Sequence, residues 1–358
     1  MTTQPFPKQP SSDSPFPAGS ELDTVFVQIA PGRLVVGSGP FESSEVRNPE
    51  QPAFYINDFF LTSAAPWKRP HRWVEADAAS YAPVGENKSP RISWDELPEE
   101  EFRSLFESAR SAIEEGLFSK IVPIMFQSGG ADLSPDSLST YLLSRIAGLP
   151  SSLHAYGAIG GRRGLIGASP EILFQKEGDS FRTMALAGTR ALERADELLS
   201  DVKERAEHQI VVDDIVEQLS GTGVTAVGPT EVRTYPNLAH LATAIDHKAS
   251  SPLSFDDAVR RLHPTAALGY WPRSERARSW LLDADREQKR GMFGAPFGVE
   301  MPDGRAVCLV AIRNVEWSGS RVRIGAGGGI LRGSVMQRER EEQKRKRDQV
   351  KEVFGLRS

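Results

Sequence analysis

The sequence predicts an α+β fold that contains a substantial antiparallel sheet. Segments that favour strands and segments with helical spacing occur in runs rather than in strict alternation, which argues against a doubly wound parallel sheet. The 358 residues exceed the usual size of one domain, and 39% of them are hydrophobic, so an ample core is expected. Candidate site residues are interleaved from residue 120 to residue 346, which favours one functional unit. Residues 21–95 are expected to form the N-terminal part of the fold and residues 96–358 its core.

Composition and charge exclude several classes of protein. The net charge is −5 with acids and bases interspersed, so neither a nucleic-acid partner nor a membrane surface is indicated. The single cysteine, Cys308, excludes an intramolecular disulfide. No apolar run approaches the ~18 residues of a membrane span, and the N-terminus lacks a signal sequence. Residues 1–20 are rich in Pro, Ser and Gly and predict a disordered leader. A cytoplasmic monomer is the expectation.

The elements follow from spacing and turn residues. The segment 24–36 predicts a hairpin around Pro31-Gly32. Apolar residues recur at helical spacing in 98–116, and Gly116 is expected to end that helix. A short apolar strand is predicted at 120–126. The remaining predictions are strands at 155–161, 164–166, 172–175, 306–315 and 320–325, helices at 137–147 and 194–220, a helical pair at 237–247 and 254–262, and a charged helix at 336–354.

Two acidic pairs are the most informative local feature. Glu204/Glu207 and Glu339/Glu342 are each spaced i, i+3, so on a helix both carboxylates of a pair project from one face. Two such faces brought together would form an oxygen-rich cage for a hard cation such as Mg²⁺. The competing interpretation is that each pair belongs to the solvated face of an amphipathic helix. Glycines at 327–329 precede the second pair and allow backbone N–H groups to approach an anion closely, which favours the cage.

Other candidate residues each have two interpretations. Lys120, at the start of an apolar strand, is either a snorkelling lysine or a general base. Glu171, directly after Ser169-Pro170, is either a turn acid or a partly desolvated general acid. Arg313 is either an outward strand residue or an inward guanidinium that pairs with a carboxylate. His208 and His240 lack a third ligand at zinc spacing and are interpreted as hydrogen-bonded histidines.

Eight segments occur in a fixed order between about residues 120 and 346, roughly two thirds of the chain. They are SKIVPI, GASPEILF, LAGTR, KERAEHQIVVDDI, AHLATAI, LHPTAALG, AIRNVEW, and GAGGGILRGS followed by QREREEQ. Together they resemble the chorismate-utilising enzymes, a family that includes isochorismate, salicylate, anthranilate and aminodeoxychorismate synthases. The resemblance implies an α+β unit in which antiparallel sheets form a central sandwich flanked by helices. It also makes residues 96–358 a chorismate-binding catalytic core.

The resemblance implies a role for each matching residue. Lys120 and Glu171 are implied as catalytic base and acid. Glu207 and Glu342 look like direct or near-direct Mg²⁺ ligands, supported by Glu204 and Glu339. The metal would hold the ring carboxylate of chorismate, and Arg313 with nearby backbone would hold the pyruvyl carboxylate. The implied substrate-binding residues are Gly188, Thr189, His240, Thr265, Phe293, Arg313, Gly327, Gly329 and Lys346.

Particular positions indicate which family member the chain resembles. Lys120 occupies the place of the water-activating lysine of isochorismate and salicylate synthases, where anthranilate synthases carry glutamine. Ala187 stands where many aminodeoxychorismate synthases place a nucleophilic lysine. Thr243 and Ala267-Leu268 look more like isochorismate synthases. The interpretation is an isochorismate synthase of a menaquinone or siderophore pathway. One alternative is a salicylate synthase. The other, from a different class, is a catalytically silent chorismate-binding scaffold, which is supported only by Met125 and Tyr270-Trp271.

Overall fold

The computed structural model describes residues 21–83 and 88–357, so the leader predicted at 1–20 lies outside the described residues. The strands are β1 (Thr24–Ala30), β2 (Arg33–Ser44), β3 (Ala53–Ile56), β4 (Trp67–Asp77), β5 (Ile92–Trp94), β6 (Lys120–Ile121), β7 (Ile124–Ala131), β8 (His154–Gly160), β9 (Arg163–Ser169), β10 (Ile172–Glu177), β11 (Ser180–Ala191), β12 (Gly223–Tyr235), β13 (Leu238–Ala249), β14 (Tyr270–Trp271), β15 (Pro296–Glu300), β16 (Ala306–Val310), β17 (Asn314–Ser318), β18 (Arg321–Gly327) and β19 (Ile330–Leu331). The α-helices are α1 (Glu99–Glu114), α2 (Pro135–Arg145), α3 (Val202–Leu219), α4 (Phe255–Leu262), α5 (Glu275–Gln288) and α6 (Met336–Val353). Short 3₁₀ helices lie at Ala78–Tyr81, Ile146–Gly148 and Leu192–Glu197.

One large antiparallel sheet dominates the molecule. In the described residues it has 16 strands, in the order β12-β13-β11-β10-β16-β15-β3-β4-β2-β1-β8-β9-β17-β18-β7-β5. Strand β1 packs against β15 and β16, from which it is separated in this order, so the sheet folds over on itself. Buried apolar residues including Val27, Phe54 and Leu165 fill the space between the two halves. The predicted α+β fold with antiparallel packing is confirmed.

Helices cover the outer faces of the sheet and bring the site together. Helix α3 packs against β11 and β13. Helix α6 packs against β18 and also contacts β11 and β13. A small three-stranded sheet, β14-β6-β19, lies beside the large one. No helix in the described part of the chain combines the length and apolarity needed to cross a membrane.

Local signals placed several elements correctly. The hairpin at 24–36 is present as β1 and β2. Helix α1 ends just before Gly116, whose φ of 74° is the left-handed conformation that favours glycine after a helix. The charged helix predicted at 336–354 is α6.

The strand predicted at 120–126 is wrong as a single element. Lys120–Ile121 form β6, which pairs with β19 and β14 in the small sheet, whereas Ile124 begins β7 of the large sheet. Pro123 lies at the break, where it cannot donate a ladder hydrogen bond. The break lets one apolar run contribute to two sheets, and it puts Lys120 in the small one.

Three further predictions are corrected. The helix predicted at 194–220 begins only at Val202, because the side chain of Asp201 caps it and a 3₁₀ turn precedes it. The segment 237–247 was predicted as a helix but is strand β13, which hydrogen-bonds to β11 on one side and β12 on the other. The strand predicted at 306–315 is interrupted between β16 and β17. The sequence patterns did not predict strands β3, β4, β5, β11, β12, β14, β15 and β19 or helix α5.

Candidate active site

The two acidic pairs lie on neighbouring helices and point into the protein. Glu204 and Glu207 on α3 are 2% and 7% exposed, and Glu339 on α6 is 2% exposed. Glu342, one turn after Glu339, is half-buried. The interpretation of these pairs as solvated helix faces is therefore wrong for Glu204, Glu207 and Glu339.

A lysine ammonium holds the acids of both helices together. Lys203 Nζ lies 3.0 Å from Glu207 Oε2, 3.2 Å from Glu339 Oε1 and 3.5 Å from Glu204 Oε1. Burial would raise the pKa of Glu207, but the ammonium groups of Lys120 and Lys203 outweigh it and hold that pKa well below its usual range. Burial and the nearby Glu342 raise the pKa of Glu339 to about 7, although Lys203 opposes the shift. Glu339 therefore holds a proton up to a higher pH than Glu207 does, although both belong to one cluster.

Lys120 is fully enclosed beside Glu207 of this cluster. Its side chain is 0% exposed and its Nζ lies 3.1 Å from Glu207 Oε1, so the snorkelling interpretation is wrong. Gly329 passes so close that a Cβ there would lie 2.2 Å from Glu207 Oε1 and 2.7 Å from Lys120 Cε. Glycine at this position therefore leaves room for the ion pair.

Glu171 occupies the loop between β9 and β10 and is 3% exposed. The Ser169 hydroxyl accepts a hydrogen bond from the Glu171 N–H at 3.2 Å and donates to the Val310 carbonyl at 2.7 Å, which anchors the loop to β16. Burial raises the pKa of Glu171 to about 7, against the opposing charges of Lys120, Arg313 and Lys346. A carboxyl group with that pKa is able to donate a proton near neutral pH.

Arg313 turns inward because the strand breaks there. Its φ of 56° is left-handed, which interrupts the run between β16 and β17, and its side chain is buried. Its Nε donates to Gln349 Oε1 of α6 at 2.7 Å. The hydrogen-bond partner of Arg313 is thus an amide rather than the predicted carboxylate. Burial lowers the pKa of Arg313 to about 10, although the charges of Glu342 and Glu171 oppose that shift.

Lys346 ties α6 to the glycine-rich turn. Its Nζ donates to the Gly327 carbonyl at 2.8 Å and lies 2.7 Å from Glu342 Oε1. These contacts join Lys346 to Glu342 and to Gly327, while its predicted place near a substrate carboxylate and a metal stays a prediction.

A bulge in β11 brings further candidate site residues into contact with α3. Gly188 has a φ of 75° and lies where the register between β11 and β13 shifts. The following Thr189 donates its N–H to Glu204 Oε2 at 2.8 Å, and its hydroxyl lies 3.0 Å from His240 Nδ1. Burial lowers the pKa of His240 well below its usual range, so this imidazole is neutral.

His208 is a satisfied hydrogen-bonding histidine, as predicted. Its Nδ1 lies 3.2 Å from the Ala187 carbonyl and its Nε2 lies 2.7 Å from Thr243 Oγ1. These contacts fix α3 against β11 and β13.

Thr265 and Phe293, two further candidate site residues, are buried. The Thr265 carbonyl accepts hydrogen bonds from the N–H groups of Leu268 and Gly269. The Phe293 ring packs edge-on against Phe126, with ring centroids 5.7 Å apart. Their predicted contact with a substrate ring stays a prediction.

Comparison with known proteins assigns the family. The family model described as chorismate binding enzyme matches residues 45–352. The chain belongs to this family.

The relatives include two activities. Anthranilate synthase component 1 of Archaeoglobus fulgidus is 30% identical over 72% of this chain and 63% of its own length. Isochorismate synthase MenF of Bacillus subtilis is 28% identical over 87% of this chain and 73% of its own length. Isochorismate synthase EntC of Escherichia coli K12 is 32% identical over 63% of this chain and 60% of its own length. The chain spans 63% and 38% of the Archaeoglobus fulgidus and Streptomyces coelicolor anthranilate synthase components.

Solved structures share the fold across both activities. MenF, the menaquinone-specific isochorismate synthase of Escherichia coli, aligns with a TM-score of 0.79 at 19% identity over 94% of this chain and 90% of that one. Anthranilate synthase component I of Streptococcus pneumoniae aligns with a TM-score of 0.68 at 17% identity over 99% and 95%. At these identities the likeness shows the fold alone.

Sequence reasoning missed three residues of this site. Lys203 is one, although its i, i+4 spacing from Glu207 is a signal for a helical ion pair. Arg190, whose Nη1 lies 2.9 Å from Glu204 Oε1 and which also pairs with Asp201, is another. Gln349, the partner of Arg313, carried no sequence signal because the contact joins a helix to a distant loop.

The donor set fits a hard divalent cation in its chemistry. Mg²⁺ prefers carboxylate oxygens, and four glutamates supply them here. Glu339 Oε2 is buried without a hydrogen-bond partner, which leaves one acceptor free for a cation. In the arrangement described, however, Lys203 lies between the carboxylates, and no three acidic, histidine or cysteine side chains of the described residues converge with metal-binding geometry. A metal ion would therefore have to take the place of the Lys203 ammonium.

Proposed function

We propose that this protein is a Mg²⁺-dependent isochorismate synthase, in which water adds to ring carbon 2 of chorismate as the hydroxyl on carbon 4 leaves. The observation that carries the proposal is a fully buried amine, Lys120, whose charge acts on a buried carboxyl, Glu171, with a pKa raised to about 7. A general base and a general acid are what this exchange of hydroxyl groups requires. A lysine at position 120 also favours this reaction over that of the anthranilate synthases, which resemble this chain elsewhere but carry glutamine there.

The proton balance assigns one step to each group. Lys120 takes a proton from the attacking water, the ring double bonds shift, and Glu171 gives its proton to the departing hydroxyl, which leaves as water. Lys120 has to be neutral to accept that proton, so Glu207, its partner at 3.1 Å, needs another cation when substrate is bound.

The remaining residues bind and orient the dianionic substrate. Bound Mg²⁺ would supply positive charge for the ring carboxylate, held by Glu207 and Glu342 with Glu204 and Glu339 in support. Arg313 and the backbone at Gly327 and Gly329 would bind the pyruvyl carboxylate. Gly188, Thr189, His240 and Thr265 would border the ring. Fixing both carboxylates holds the reacting carbons near the base and the acid.

Product analysis tests the proposal. The purified protein is incubated with chorismate and Mg²⁺, with and without EDTA, beside Lys120→Ala and a control, Lys248→Ala, which changes an exposed lysine on β13. Isochorismate that forms only with metal, and at least ~10²-fold more slowly in the Lys120 variant alone, supports the proposal. Salicylate with pyruvate would assign a salicylate synthase, and anthranilate formed with ammonium an anthranilate synthase. Chorismate binding without turnover would favour the scaffold.

A further inference from the structure

Lys203 is the charged side chain that links the two acidic pairs. Its Nζ contacts Glu204 and Glu207 of α3 and Glu339 of α6, all within 3.5 Å. The Lys203 ammonium therefore lies at the point where acids from both helices meet.

Lys203 has a more exposed side chain than the other cations of the site. Its side chain is 25% exposed, whereas that of Lys120 is 0% exposed and enclosed. Lys346 is tied to Glu342 and the Gly327 carbonyl, and Arg190 is tied to Asp201 and Glu204. A lysine stem with four rotatable carbons is able to carry its ammonium from a partly open position into solvent.

Removing every counter-charge from these acids is unfavourable. Breaking a buried ion pair by deleting one partner is strongly destabilising because it leaves an uncompensated charge. Glu207 and Glu339 are both almost wholly buried, so whichever cation neutralises them also holds α3 and α6 together. Lys203 fills that role in the arrangement described, since its ammonium contacts both carboxylates.

We propose that Lys203 is an internal counter-ion that competes with the divalent cation: its ammonium occupies the cation position between the acidic pairs and moves out to solvent when Mg²⁺ enters. The inference rests on the proposed function for the identity of the metal. It has two consequences. Mg²⁺ binds more weakly than four carboxylates would allow, because the competent state is only part of the population. The metal-free site stays assembled, because the acids keep a cation between them.

Calorimetric titration with Mg²⁺ alone tests the competition. Lys203→Gln is compared with wild type and with Arg205→Gln, which removes an exposed positive charge from the same helix. We expect Lys203→Gln to bind Mg²⁺ at least ~10-fold more tightly than both, a change of ~1.4 kcal/mol. In EDTA its Tm is expected to fall below that of wild type, and Mg²⁺ is expected to raise that Tm more than it raises the Tm of the other two proteins. Affinity equal to or weaker than wild type, or no Mg²⁺ binding by any of the three, would overturn the inference.

A measurement on the wild-type chain covers the case in which Lys203→Gln does not fold. Amine labelling followed by mass spectrometry is expected to modify Lys203 several-fold faster with Mg²⁺ than with EDTA. Lys344, which is 71% exposed on α6, is the internal control and should not change. Labelling of Lys203 that is insensitive to Mg²⁺ would overturn the inference. Neither experiment contains chorismate, so failure of the proposed reaction is seen separately, in the product assay.

Discussion

Glu171 and Glu207 show how two buried carboxylates take opposite protonation states. Burial raises the pKa of Glu171 to about 7, because the positive charges that oppose the shift do not cancel it. Glu207 is equally buried, but two ammonium groups lie 3.0 and 3.1 Å from its oxygens and keep its pKa low. Glu171 can therefore donate a proton near neutral pH, whereas Glu207 stays an anion that binds cations.

The first prediction concerns Glu171→Gln. We expect kcat for isochorismate formation to fall by ~10²–10⁴-fold, because the amide cannot donate the proton. In wild type, kcat should decline as the pH rises above about 7, since the acid form of Glu171 is lost there. That decline is measured in the pH profile of kcat and should be missing from the residual activity of the variant. Wild-type kcat in Glu171→Gln would refute the role.

The same pKa also predicts how the stability of the folded state depends on pH. The folded state holds the Glu171 proton more tightly than the unfolded chain does, so stability contributed by this group is present at low pH and is lost as pH rises from about 4.5 to about 7. Glu171→Gln removes this loss. Its Tm at pH 8 should therefore equal or exceed that of wild type, and a clear drop would mean that the carboxylate is stabilised by contacts of its own.

At the scale of elements, the turn between β18 and β19 controls how closely the backbone approaches the charged cluster. In Gly329→Ala the new methyl group would overlap Glu207 Oε1 and Lys120 Cε, and the Lys120–Glu207 pair would have to shift. A displacement of about 1 Å in a catalytic group can lower the rate by ~10²-fold, so we expect a loss of that order in kcat.

The control for this prediction is Gly130→Ala in β7, where a Cβ would meet no atom within 4 Å. Circular dichroism should show that both variants are folded, and only Gly329→Ala should lose activity. Equal kcat in the two variants would mean that the close approach at Gly329 is unimportant.

Helix α3 depends on its cap to present both of its glutamates. Asp201 accepts a hydrogen bond from the Glu204 N–H at 3.0 Å and also pairs with Arg190. Asp201→Ala is expected to lower the free energy of unfolding by about 1 kcal/mol in urea titrations and to reduce kcat, because the first turn carries Glu204.

Ser134→Ala is the matched change, since Ser134 caps α2 in the same way but does not hold a site residue. It should lower stability by a similar amount and leave kcat unchanged. If Asp201→Ala also leaves kcat unchanged, the Asp201 cap does not contribute to activity by positioning Glu204.

At the scale of the whole molecule, the folded-over sheet is a stability core that lies apart from the acidic cluster. Phe54 on β3 is 0% exposed between its two halves. Phe54→Ala is expected to lower the free energy of unfolding by ~3–5 kcal/mol while kcat of the folded fraction is retained. Trp73→Ala on β4, where the ring is 38% exposed, should cost less than about 1 kcal/mol. Similar losses in urea titrations of the two variants would contradict this picture of the core.

The sequence by itself determined the features that depend on local chemistry. The hairpin at 24–36, the end of α1 at Gly116 and the i, i+3 spacing of the acidic pairs follow from turn residues, caps and helical periodicity, each within a few residues. The ordered motifs indicated the family, since they preserve residue types at fixed positions along two thirds of the chain.

Only the tertiary structure decided which of these residues meet and how they are charged. Strand β13 has an apolar pattern that also fits a helix, and pairing with strands on both sides makes it a strand. The burial of Lys120, the left-handed backbone at Arg313 and the position of Lys203 between α3 and α6 all depend on contacts between distant segments. The physical reason is that ladder hydrogen bonds and desolvation are set by neighbours far away in the chain, which local periodicity does not contain.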